Sequence, residues 1–137
     1  MRRILVIIGL VTVLVGAGYV VRVWNSWHVN ARTSKLNVDV DNLFAALQQY
    51  KENIGAYPTG ASNAELAKIL KGKNPKNVII LVGHKLELNE KGEFIDPWGT
   101  ALRVYFSDSG VLIRSAGPNK RFDDSTTVES DDYIRSN

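Results

Sequence analysis

Hydrophobic positions fall into three successive patterns. The first is an unbroken run: residues 4–21 carry no charge, and only Thr12 and Tyr19 bear a polar side-chain group. As a helix this run would be about 27 Å long at ~1.5 Å per residue, close to the ~30 Å hydrocarbon thickness of a bilayer. Arg2 and Arg3 precede it, and Trp24 and Trp27 follow it. Tryptophan suits a membrane–water interface, because one edge of the indole is apolar and the other donates a hydrogen bond. The pattern predicts an uncleaved single-pass anchor over residues 1–23, with the C-terminal part outside. A secretory leader cut after Val15-Gly16-Ala17 fits less well, since Tyr19-Val20-Val21 carry the apolar run past that point.

The second pattern is helical. Leu36, Val40, Leu43, Leu47, Tyr50 and Ile54 recur at alternating spacings of four and three, which is one face of an α-helix. Asp39, Asp41, Gln48, Gln49, Lys51 and Glu52 fall off that stripe. Gly55 marks the end of the helix and Pro58 prevents its resumption. Residues 24–35 are more polar and read as a linker or as a continuation of the helix. The stripe is expected to cover a small sheet.

The third pattern, from residue 62 onward, mixes short elements. Ser62-Asn63-Ala64-Glu65 reads as a capping box, in which the Ser62 hydroxyl and the Glu65 carboxylate satisfy each other's backbone N–H. It opens a short helix with Leu66, Ile69 and Leu70 inward. Val78-Ile79-Ile80-Leu81-Val82 reads as a strand or extended segment. Asn89-Glu90-Lys91-Gly92 and Asp96-Pro97-Trp98-Gly99 read as tight turns, the second with Trp98 pinned on the core. Residues 101–106 and 111–114 form a hairpin through Ser107-Asp108-Ser109-Gly110. Residues 115–137 are polar and read as loop.

Charge and composition narrow the function. The chain carries 17 Lys+Arg against 14 Asp+Glu. Arg2, Arg3 and Arg22 flank the apolar run, and setting them aside leaves 14 basic against 14 acidic residues, so the basic pI is no argument for nucleic-acid binding. Cysteine is absent, which removes disulfides, thiolate metal sites and cysteine nucleophiles. Only His28 and His84 could serve as imidazole bases, one beside the apolar run and one after Gly83. The paired carboxylates sit in a polar tail with no apolar pocket to split their pKa values. No enzyme and no small-molecule substrate are expected. The Lys68, Lys71, Lys73, Lys76 cluster reads as a solvated face.

Taken in order, several motifs form a recognisable series. These are Ile54-Gly55-Ala56-Tyr57-Pro58-Thr59, Leu88-Asn89-Glu90-Lys91-Gly92-Glu93, Asp96-Pro97-Trp98-Gly99-Thr100, Arg114-Ser115-Ala116-Gly117-Pro118-Asn119 and Asp131-Asp132. Over residues 36–134 the chain resembles the major pseudopilins (protein G) of type II secretion, members of the type IV pilin superfamily. At the front it departs from that pattern. There is no glycine–phenylalanine prepilin peptidase junction and no acidic residue before Asp39. The resemblance implies an α+β, pilin-like fold. Its long N-terminal helix, membrane-embedded in its first part, would pack on a small antiparallel sheet with a C-terminal loop, residues 36–137 being the globular domain. It also implies a membrane-anchored structural subunit or accessory of a type II secretion or pilus-like assembly, on the extracytoplasmic side of the inner membrane. Its partners would be other pseudopilins or secretion-system proteins, copies of itself among them. The missing acidic residue points instead to a membrane-tethered extracytoplasmic binding domain that does not polymerise.

One metal is expected. Calcium takes six to eight oxygens from carboxylates, amides and carbonyls, and residues 117–132 offer all three. The resemblance implies a calcium ion in this loop, held by Asn119, Asp131 and Asp132. Asn119 stands where the family has aspartate, which keeps an oxygen but loses a charge, and Lys120 and Arg121 add repulsion. Asp123 and Asp124 are a second tier that can compensate. Binding is expected to be weak, about 10⁻⁴ M or looser, in the range of extracellular modules.

Overall fold

The computed structural model describes residues 2–82, 85–107, 110–123 and 130–137, with the backbone alone for residues 2–18, Asn25 and Ser26. Its elements are helices α1 (Arg2–Ile54) and α2 (Asn63–Leu70) and strands β1 (Arg103–Phe106), β2 (Val111–Ser115) and β3 (Tyr133–Ser136). The chain divides into two compact units, Met1–Thr33 and Ser34–Asn137.

The first unit is helical. One face of it carries Tyr19, Val20, Val23, Trp24, Trp27, His28 and Ala31, and the rings of Trp24 and His28 lie 5.4 Å apart. Trp24 and Trp27 are about 70% and three-quarters exposed (69% and 76%). Among the described residues no helix is long and apolar enough to cross a membrane. Most of the run at residues 4–21 falls on side chains outside the description, and the expected anchor lies there with it.

The second unit is an α+β domain. The helical stripe is its main core wall: Leu36, Val40, Leu43, Leu47 and Tyr50 are buried, joined by Ala46, and Ile54 packs at the margin. Asp39 departs from the expected polar face, being only 5% exposed. It is buried because Lys35, one turn earlier, supplies an ammonium 2.7 Å from its carboxylate. Glu87 closes on the same ammonium at 3.4 Å. Burial opposes the Lys35 charge, but hydrogen bonding and attraction from Asp39, then Glu87, raise its pKa above the ordinary 10.5. At the end of α1 the Gly55 N–H donates to the Lys51 carbonyl at 2.7 Å, and the Lys76 ammonium donates to the Asn53 carbonyl. A cation there complements the negative end of the helix.

Helix α2 begins with the capping box. The Ser62 N–H donates to Glu65 Oε2 at 2.8 Å and the Glu65 N–H donates to Ser62 Oγ at 3.3 Å. The hydrogen bonds from the Ser62 backbone and then its hydroxyl favour the charged carboxylate and lower the Glu65 pKa from 4.5. The helix closes with the Lys73 N–H on the Lys68 carbonyl and the Gly72 N–H on the Ile69 carbonyl, the paired bonds of a Schellman end. Asn63 ties α2 to the rest: its amide donates to the Phe94 and Leu102 carbonyls at 2.9 and 2.7 Å and accepts from the Phe94 N–H at 2.7 Å. Residues 78–81 form no strand and Val82 lies in a turn. The Ile80 and Leu81 N–H groups both donate to the Leu70 carbonyl instead.

The sheet is antiparallel in the order β1-β2-β3. Strand β1 begins at Arg103 rather than Ala101, which makes an isolated bridge to Ile95. Val111, Ile113 and Ser115 of β2 point into the core, so Leu112 and Arg114 face the other way. Strand β3 lies in the stretch expected to be loop. Its own pattern is polar and mostly exposed, and tertiary contacts hold it. Tyr133 stacks on Trp98 at 5.7 Å, Arg135 pairs with Asp41 of α1 at 2.7 Å, and the Val111 N–H donates to Asn137 Oδ1 at 2.7 Å.

Candidate metal centre

The C-terminal loop is built on a buried carboxylate. Asp96, 1% exposed, opens the Asp96-Pro97-Trp98-Gly99 turn. Its Oδ1 accepts from the Trp98 and Thr100 N–H groups at 3.0 and 2.8 Å. Its Oδ2 accepts from the Ser115 hydroxyl at 2.7 Å, which joins the turn to the end of β2. Ser115 Oγ in turn accepts from the Gly117 N–H at 3.1 Å, fixing the chain as it leaves the strand. Gly117 has φ +65°, and a Cβ added there would lie 2.2 Å from the Asp131 carbonyl oxygen. The second half of the loop therefore packs directly against the glycine backbone.

Four of the five expected ligand residues come together here. Asp123, Asp131 and Asp132 each offer a carboxylate oxygen, and the three oxygens lie within 4.8 Å of one another. Asn119 joins them: its N–H donates to Asp131 Oδ2 at 3.0 Å and its side-chain amide donates to Asp123 Oδ2 at 2.9 Å. Asn119 Oδ1 accepts from the Arg121 N–H at 2.6 Å, so this oxygen has a backbone partner already. Asp124 lies outside the described residues.

Two findings bear on whether calcium fits. Asp131 Oδ1 is buried with no hydrogen-bond partner among the described residues, and every donor in the cluster is a hard oxygen. However, Asp132 is not a free ligand. Arg114 reaches it through both Nε and Nη2, and Nη2 also donates to the Asp123 carbonyl. Among the described residues, the three clustered carboxylates against one guanidinium have a formal charge of −2. The carboxylates of Asp123 and Asp131 thus fit a divalent cation, with Asp132 shared with the arginine, whereas Asn119, expected as a ligand, turns N–H donors toward both carboxylates and its oxygen toward Arg121.

Arg114 and Phe122 are the members that sequence reading missed. The Phe122 ring contacts two guanidinium groups, Arg103 at 3.8 Å and Arg114 at 5.6 Å from its ring centre, a cation–π arrangement that ties the loop to β1 and β2. The available signal was alternation: with Ile113 and Ser115 inward, Arg114 must face outward, next to Arg103 in the register. Comparison with models of known protein families, with curated proteins and with solved structures gave no match for this chain.

Proposed function

We propose that the chain is a membrane-anchored, pseudopilin-like structural subunit or accessory of a type II secretion or pilus-like assembly, with a C-terminal loop steadied by weakly bound calcium. One observation carries this reading. Three of the five motifs that bear the resemblance, those at residues 96–100, 114–119 and 131–132, meet in a single patch through the Asp96–Ser115 hydrogen bond, the Gly117–Asp131 contact and the neighbouring Trp98–Tyr133 stack. Motifs that merely coincided by chance would have no reason to meet. Calcium, when bound, would supply the two positive charges that balance the loop. Asp123 and Asp131 would hold it, Asp132 would be shared with Arg114, and Asn119 would brace the two carboxylates through its N–H groups; the loop would serve as a rigid surface rather than a reaction site.

The apolar run at residues 4–21 and the tryptophans after it support the anchor. A membrane-tethered binding domain that does not polymerise is the second reading, favoured by the lack of any acidic residue before Asp39. Treating native membranes with a short amine-reactive crosslinker separates the two. Assembly gives a ladder at multiples of the 15.2 kDa chain, alone or mixed with secretion-system proteins. A monomer band at every crosslinker concentration overturns assembly and leaves the tethered domain.

A further inference from the structure

Arg114 stands where a loop closed by metal alone would need no cation. Its side chain is 17% exposed, and the Asp132 side chain it pairs with is 1% exposed. Through Asp132 and the Asp123 carbonyl it already joins both halves of the acidic loop to β2. We propose that Arg114 is a built-in counter-cation that closes this loop without metal and competes with calcium for it; the proposal rests on the calcium reading above. A guanidinium bonded to one carboxylate of the cluster repels an ion at the other two, and it occupies lone pairs that the ion would otherwise receive. The loop should therefore be closed in chelator and respond to calcium only weakly.

Neutralising the arginine and its partner separately gives a cycle with distinct outcomes. In the wild type the formal charge is −2. Asp132→Asn, with Arg114 kept, leaves −1, and calcium binding falls by at least about tenfold because the arginine now faces fewer carboxylates. Arg114→Gln/Asp132→Asn restores −2, and calcium binding returns to near the wild-type value although a carboxylate is still missing. Arg114→Gln alone leaves −3. It melts lower in chelator than the wild type, and calcium raises its melting temperature by more than it raises that of the wild type.

The test uses the full chain in detergent micelles. Calcium chloride is titrated by calorimetry, and thermal melts are run in calcium and in chelator. Recovery of calcium binding in the double variant supports the proposal even if Arg114→Gln alone fails to fold. A double variant as silent as Asp132→Asn overturns it, making Asp132 an obligatory ligand and Arg114 a bystander. If the wild type and Arg114→Gln are both silent, with no heat of binding and no shift, the calcium reading has failed and the competition with it; a silent wild type beside a responsive Arg114→Gln supports the competition.

Discussion

Replacing Gly117 with alanine tests the packing on which the loop depends. Two costs arise. The residue sits at φ +65°, in the left-handed region where an L side chain costs about 1–2 kcal/mol. The second cost is steric. The new Cβ would lie 2.2 Å from the Asp131 carbonyl oxygen, and ordinary contact begins near 3.4 Å, so Asp131 must retreat by 1.2 Å. The obstacle is backbone and cannot rotate away. Such a retreat stretches the 3.0 Å bond from the Asn119 N–H to Asp131 and pulls Asp132 off Arg114. Breaking a buried ion pair costs about 3–5 kcal/mol when one partner is removed outright, and partial displacement forfeits a share of that. Gly92 is the matched control: it has φ +77°, with nothing within 4 Å of an added Cβ. Gly92→Ala should therefore show the conformational cost alone, and Gly117→Ala at least about 2 kcal/mol more. In a domain near this size that is roughly 10 °C of additional loss in Tm. Thermal melts followed by circular dichroism in chelator read the difference. Equal melting of the two variants would refute the close approach of Gly117 and Asp131.

Other residues give independent checks. Leu47→Asp buries an unpaired charge in the core and should prevent folding of the second unit, whereas exposed Gln49→Asp should change Tm by a few degrees at most, both read by circular dichroism. The raised pKa of Lys35 means that its pairing contributes fully below pH 10.5 and is lost as pH rises through the higher folded value. Urea melts from pH 9 to 12 should therefore converge for wild type and Lys35→Met at the alkaline end. The lowered pKa of Glu65 has the opposite sense: its contribution is present above pH 4.5 and lost as pH falls through the folded value. Ser62→Ala should cost about 1 kcal/mol at pH 7 and flatten that acid limb, measured by denaturant melts between pH 2 and 7.

Local signals in the sequence carried much of the fold. The four-and-three spacing from Leu36 to Ile54 identified the buried helical face because a helix that covers a core has to repeat in that way. The capping box and the turns were legible because their chemistry closes within four residues. What escaped was set by distant partners. Asp39 reads as polar surface until Lys35 and Glu87 are brought to the same spot. Strand β3 reads as tail because its support comes from Trp98, Asp41 and β2 rather than from its own pattern. At the candidate site the oxygens were legible as a cluster of acidic residues. Their counter-charge was not, because Arg114 lies on another element and reaches them only through the register of the sheet.

Assembly through copies of the chain is the central functional claim, and the absence of cysteine makes it directly measurable. Val38 lies on the outer face of α1, 58% exposed, opposite the buried stripe. Val38→Cys in native membranes, treated with a short bismaleimide, should give crosslinked dimers or adducts with another membrane protein, while Leu47→Cys, fully buried, stays unmodified. Labelling of Val38→Cys by monofunctional maleimide without any crosslinked species, at every expression level, would contradict the account.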